Sequence, residues 1–230
     1  MISDLIVYNL QYSELRQVII IQYISDMVNY LSSNDVQVDF LKIVDGNAMH
    51  PRSLSVIRQV LDYWVKKNGM LHITDVYQSF LILYRYLTNK SILDYGCFIK
   101  NGVLLDNTQQ NEIISDLLGF ANSYTALFLF NSIIITGNHY QLEAPYGVAL
   151  GSIFEGGICI NCNTQKNSLW HETAHLLGAD DHYNETKNYQ SKGCSDPRNC
   201  LMQWDSLKGS IFCSNVLSQL KAKLNRISIA

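Results

Sequence analysis

His171-Glu172-Thr-Ala-His175-Leu-Leu-Gly178-Ala-Asp-Asp181 is the stretch from which the rest of the 230-residue chain can be read. On a helix, residues four apart project from one face about one turn from each other. His171 and His175 can therefore hold one metal ion between their imidazoles. Glu172 stands beside the first ligand, where its carboxylate can take a proton from a metal-bound water. Gly178 falls where such a helix must stop and the chain must turn sharply, and glycine adopts a positive φ without steric penalty. The turn sends the following residues back beneath the metal, so a third ligand can arrive from a loop. In a chain of this composition the spacing arises by chance about two times in ten thousand. Leu176 and Leu177 set the helix against a core rather than in solvent. These residues suit an open zinc site.

The tenth residue after His171 is Asp181, followed by His182 and Tyr183. Aspartate ligates zinc through oxygen at about 2.0–2.2 Å. The run Gly178-Ala-Asp-Asp181-His182-Tyr183 resembles the Gly-x-x-Asp-x-Tyr ending of snapalysin-like and immune-inhibitor-A-like metalloproteases. That resemblance implies Asp181 as the third ligand, with His182 as the alternative. An anionic ligand leaves zinc less electron-poor, so its water should be less acidic than at a three-His site.

Further on, Cys194-Ser-Asp-Pro-Arg-Asn-Cys200-Leu-Met202 is followed by Phe212-Cys213 and a C-terminal helical run. This order resembles the archaemetzincins, within the metzincin clan of zinc metalloproteases. It covers roughly the second half of the chain well and the first half in outline. It implies that Met202 lies in the tight Met-turn beneath the metal, and that Cys194, Cys200 and Cys213 are three of four ligands of a second, structural zinc. Two positions depart from the family. Its first Cys, right after the third ligand, is absent, and His182 to Gly193 reads as an insertion. Its last Cys, three after Cys213, is Val216. Three thiolates leave a tetrahedral site one ligand short; His182, Cys159 and Cys162 are candidates for the fourth. The balance favours a decayed site and one zinc per chain.

The resemblance implies a single metzincin-like α/β (α+β) catalytic domain over 1–230. A mixed twisted sheet with an antiparallel edge strand fills an upper lobe of about 1–178. A lower lobe of about 179–230 closes a cleft, and a helical insertion lies at about 50–105. It also implies a zinc metalloendopeptidase or aminopeptidase acting on a peptide or protein substrate, with Glu172 as the base. Tyr183 is either a donor to the tetrahedral oxyanion or a packing residue. The rival reading is a catalytically silent zinc-containing peptide-binding or regulatory protein.

Composition is consistent with this. A chain of 230 residues buries about 70 % of its unfolded surface, enough for one sizeable core. A net charge of −3 with no basic stripe argues against nucleic acid as a partner. The start, Met-Ile-Ser-Asp-Leu-Ile-Val-Tyr, reads as a strand rather than a signal peptide, and no apolar run is long enough to span a membrane. A cytoplasmic address follows, where thiols stay reduced. Cys97, Cys159 and Cys162 then read as core thiols, although Cys159-x-x-Cys162 could contribute to a metal site. Oligomeric state leaves no mark on the sequence.

Periodicity predicts a strand at Leu5–Leu10, a helix at Ser13–Leu31 capped by Ser13, and an alternating strand at Val36–Val44. Helices are expected at Ser53–Lys67 and Val76–Leu87, broken by Asn68-Gly69, and at Asn107–Phe120. Ala126–Thr136 reads as a strand buried on both faces. Tyr146–Ser152 and Gly157–Asn161 read as two shorter strands before the metal-binding helix near Ser168.

Overall fold

The computed structural model describes residues 3–11, 14–88, 98–100, 103–120, 128–184, 190–191, 193–203 and 209–225. The chain opens with β1 (Ser3–Asn9), α1 (Glu14–Ser33), β2 (Leu41–Asp45) and a short α2 (Gly46–Met49). Next come α3 (Pro51–Asn68), α4 (Ile73–Leu87), the small hairpin of β3 (Ile99–Lys100) and β4 (Val103–Leu104), and α5 (Asn107–Leu118). Three strands follow, β5 (Ser132–Ile135), β6 (Gly147–Leu150) and β7 (Ile158–Asn161), and then α6 (Lys166–Leu176). A second hairpin of β8 (Tyr183–Asn184) and β9 (Gln190–Ser191) precedes α7 (Ser214–Leu224).

Five strands form one sheet in the order β2-β1-β5-β7-β6. All its neighbours run parallel except β6, which pairs antiparallel with β7 at one edge. Parallel strands connected through helices are covered on both faces, so their sequences read as unbroken apolar runs. Leu5 to Tyr8, Ile133 to Ile135 and Ile158 to Ile160 are all buried accordingly. One face, with Leu5, Val7, Ile133 and Cys159, packs on α1, α6 and α7. The other, with Ile6, Tyr8, Ile134 and Ile160, packs on α3, α4 and α5. The stretch at about 50–105 thus supplies much of the second core. The residues after Gly178 share the first core with α1 and α6.

Several boundaries differ from the sequence expectation. Val36 and Val38 are buried, as their alternation demands, yet pairing begins only at Leu41. Of the apolar run Ala126–Thr136 only Ser132–Ile135 is strand, with Ala126 and Leu127 outside the described residues, as are Ser13 and Cys97. Asn107–Phe120 ends two residues early, at Leu118. Gly69 closes α3 in the left-handed conformation, φ 81°, where the Asn68-Gly69 break was expected. No described helix is long and apolar enough to cross a membrane.

Candidate metal centre

Helix α6 lies across β6 and β7 and buries Leu169, Trp170, Ala174 and Leu176 in the first core. It ends in a Schellman motif: Gly178 N–H donates to the His175 carbonyl and Ala179 N–H to that of Ala174, with Gly178 at φ 96°. The chain therefore doubles back at Gly178, and Asp181 returns to the face carrying both histidines. Asp181 Oδ1 lies 3.3 Å from His175 Nε2 and 3.6 Å from His171 Nε2, and the two nitrogens are 3.1 Å apart. Ligands on bonds of about 2.0–2.1 Å at tetrahedral angles stand about 3.3 Å from one another. The observed triangle has that size.

The orientation of each imidazole is set from behind. His171 Nδ1 donates to the Leu201 carbonyl at 2.6 Å and His175 Nδ1 to the Ala179 carbonyl at 3.0 Å. With each Nδ1 donating backwards, both Nε2 atoms face each other and the carboxylate, the arrangement metal-bound histidines share. Without a metal, burial opposes the charge on His175 but Asp181 raises its pKa to about 9. Two such nitrogens at this separation need a cation between them. A proton satisfies one pair of atoms; a metal ion satisfies all three. Asp181 Oδ1 is buried and has no hydrogen-bond partner among the described residues. Burial opposes its charge, but the facing imidazoles and the Tyr183 hydroxyl outweigh burial and hold its carboxyl below the ordinary range. That hydroxyl is thus engaged on the Asp181 carboxylate.

Glu172, only 6 % exposed, has a carboxylate oxygen within 4.8 Å of both imidazole donors. Burial raises its pKa to about 7, against the opposing pull of His175. Gly147 at the start of β6 approaches it closely, since a Cβ there would stand 2.7 Å from Glu172 Cγ. Sequence reasoning passed over Gly147, although glycine inside a strand marks close approach. It also passed over the Leu201 and Ala179 carbonyls, which leave no trace in residue type.

A groove of about 450 Å³ runs alongside His175, between Gly151, Phe154 and Glu155 on one side and Gly178, Asp180 and Lys223 on the other. A larger one, about 700 Å³, opens among Leu10, Arg58, Lys66 and Tyr140. None of its lining residues belongs to a donor cluster, so the smaller groove is the relevant one.

His182 turns away from Asp181 and joins a second cluster with Cys194, Cys200 and Cys213. Its Nδ1 is 3.4 Å from Cys213 Sγ and 4.0 Å from Cys200 Sγ, and Cys194 Sγ is 3.7 Å from Cys213 Sγ. Tetrahedral zinc with bonds of about 2.3 Å to sulfur and 2.05 Å to nitrogen sets about 3.8 Å between sulfurs and 3.6 Å between sulfur and nitrogen. Of the three candidates for a fourth ligand, His182 is the one the structure brings to the three thiols, so four groups that could hold a metal ion stand together despite Val216. Burial would raise the Cys213 thiol, but the Val216 backbone N–H and hydrogen bonds from Ser195 bring it down to about 6. Burial pushes Cys200 up to about 12. Cys159 and Cys162 lie outside the cluster. Cys159 is enclosed in the core, and Cys162 Sγ faces the Pro145 and Tyr146 carbonyls. Met202 is fully buried, and its carbonyl accepts from His182 N–H at 2.8 Å.

Comparison with protein-family models, with known proteins and with solved structures returns no match.

Proposed function

We propose that the chain is a zinc-dependent metallopeptidase of metzincin type, archaemetzincin-like in its second half. The observation that carries this reading is the convergence of His171 Nε2, His175 Nε2 and the orphaned Asp181 Oδ1 at tetrahedral edge lengths, with Glu172 beside them. The sheet with a single antiparallel edge strand, followed directly by the metal-binding helix, also supports it. Zinc in this triangle would supply Lewis acidity and lower the pKa of a bound water. Glu172, beside both imidazole donors, would accept the proton of the attacking water and deliver it to the leaving amine. The free side of β6 has no strand partner among the described residues, so an extended peptide can align there through main-chain hydrogen bonds. The Tyr183 hydroxyl reaches the Asp181 carboxylate. His182, Cys194, Cys200 and Cys213 would hold a second, structural zinc.

Glu172→Ala tests the reading. Zinc content should stay at the wild-type level while cleavage of a mixed peptide library falls by about 10²–10⁴-fold, the contribution of a positioned base. Zinc in both proteins with cleavage by neither would identify a silent peptide-binding protein instead, and undiminished cleavage by the variant would remove Glu172 from the mechanism.

A further inference from the structure

We infer that His182, Cys194, Cys200 and Cys213 are positioning residues for the first site: an ion held by them sets where Asp181 and the Leu201 carbonyl stand, so the two metals bind cooperatively. The inference rests on reading both clusters as zinc sites.

The two clusters are joined at two peptide bonds. Asp181, the third donor of the first site, is followed immediately by His182, a donor of the second. Cys200, a donor of the second, is followed immediately by Leu201, whose carbonyl orients His171. Consecutive Cα atoms are about 3.8 Å apart, so neither donor can shift by an ångström without moving its neighbour. Two hydrogen bonds close the circuit: His182 N–H donates to the Met202 carbonyl at 2.8 Å, and Gln203 Nε2 to the His182 carbonyl at 2.8 Å.

Leu201, Met202 and Phe212 are buried in the first core and Leu201 N–H donates to the Ile211 carbonyl, but this part of the chain has little regular structure. Between Gly178 and Ser214 the described regular structure is one hairpin of two two-residue strands. Asp180, Gly193, Ser195, Pro197, Arg198 and Asn199 are exposed. With four donors drawn to one ion, residues 182 and 200 become fixed points. Without it, only weak thiol hydrogen bonds of 3.4–4.0 Å join the four groups, and each of the neighbouring backbone segments has lost an anchor. Outer groups that orient metal ligands typically change affinity by about 10–100-fold when removed, and the same range is expected here.

The full chain loaded with zinc provides the test. Stoichiometry and chelator competition give the affinity of each site, and the thiolate charge-transfer band of the cobalt-substituted protein reports the second site separately. Wild type should hold two ions. His182→Ala should lose the thiolate-site ion and bind the remaining one about 10–100-fold more weakly, with an unchanged thermal melt of the metal-free proteins. His182→Cys, which restores four donors, should recover both. Because coupling is reciprocal, Asp181→Ala should weaken the thiolate site by a similar factor. That result decides the matter even where His182→Ala fails to fold. Two ions with independent affinities would overturn the inference alone. A wild type that binds one ion or none would overturn it together with the two-site reading.

Discussion

Alanine at position 147 separates the task of Glu172 from the task of the metal donors. Gly147 opens β6 opposite Asn161, and a methyl there would lie 2.7 Å from Glu172 Cγ and 3.1 Å from both Glu172 Cδ and Asn161 Nδ2. Ordinary contact begins near 3.4 Å, so Glu172 must retreat by about 0.7 Å. The crowded atom is in the middle of a side chain only 6 % exposed, which leaves no easy swing into solvent. A reacting group misplaced by about 1 Å costs on the order of 100-fold in rate, equivalent to about 2.7 kcal/mol of barrier. None of the three donor atoms is among the three atoms nearest the new methyl. On the peptidase reading, Gly147→Ala should therefore lower kcat/KM on library peptides by about 10–100-fold while metal analysis finds wild-type zinc. Wild-type turnover in the variant would refute the close approach. Loss of zinc would refute the idea that Gly147 serves Glu172 alone.

Asp181→Ala removes one edge of the donor triangle and should weaken zinc at the imidazole site by at least about 100-fold in chelator competition, whereas wild-type affinity would mean that another group supplies the third bond. Asp75, buried in the first turn of α4, has its pKa raised by burial to about 6, so its charged form costs stability. The native carboxyl holds its proton to higher pH than the unfolded one, so stability is lost as pH rises from about 4 through 6 and stays lost at pH 7. Asp75→Asn should therefore stabilise by about 1 kcal/mol at pH 7, after discounting for solvent screening and for the lost helix-dipole interaction, and the gain should vanish at pH 4 in urea titrations.

The donors of the first site were legible because helix geometry is local. A four-residue spacing and a helix-ending glycine determine which side chains share a face before any tertiary contact forms. The same holds for Gly69 and for the apolar strands β1, β5 and β7, whose burial on both faces leaves unbroken runs. Less was legible where a choice depends on packing. Asp181 and His182 are adjacent and both ligate metals, so the sequence alone could not show that they divide between two clusters. The missing Cys at 216 favours decay in the sequence, which does not choose among His182, Cys159 and Cys162 as a fourth donor because that choice depends on how the loop packs. Val36 and Val38 alternate like a strand because they are buried, but burial does not require a ladder partner, and none forms before Leu41. The Nδ1 acceptors at Leu201 and Ala179 are main-chain carbonyls, which any residue provides.

The sheet order has a consequence for how the chain acquires its shape. β1 lies between β2 and β5, and Val7 pairs with Asp45 on one side and Ile133 on the other. The first pairing spans 38 positions and the second 126. Closing a loop of the larger size costs about 4 kcal/mol of chain entropy before any contact rewards it. Folds dominated by such distant pairings form slowly, on the scale of milliseconds to seconds. During synthesis β1, α1 and β2 can associate early, but the other hydrogen-bonding edge of β1 stays unpaired until β5 has left the ribosome. β6, β7 and α6 follow only after that, so both histidines arrive after the parallel strands β1, β2 and β5, with α7 still to come.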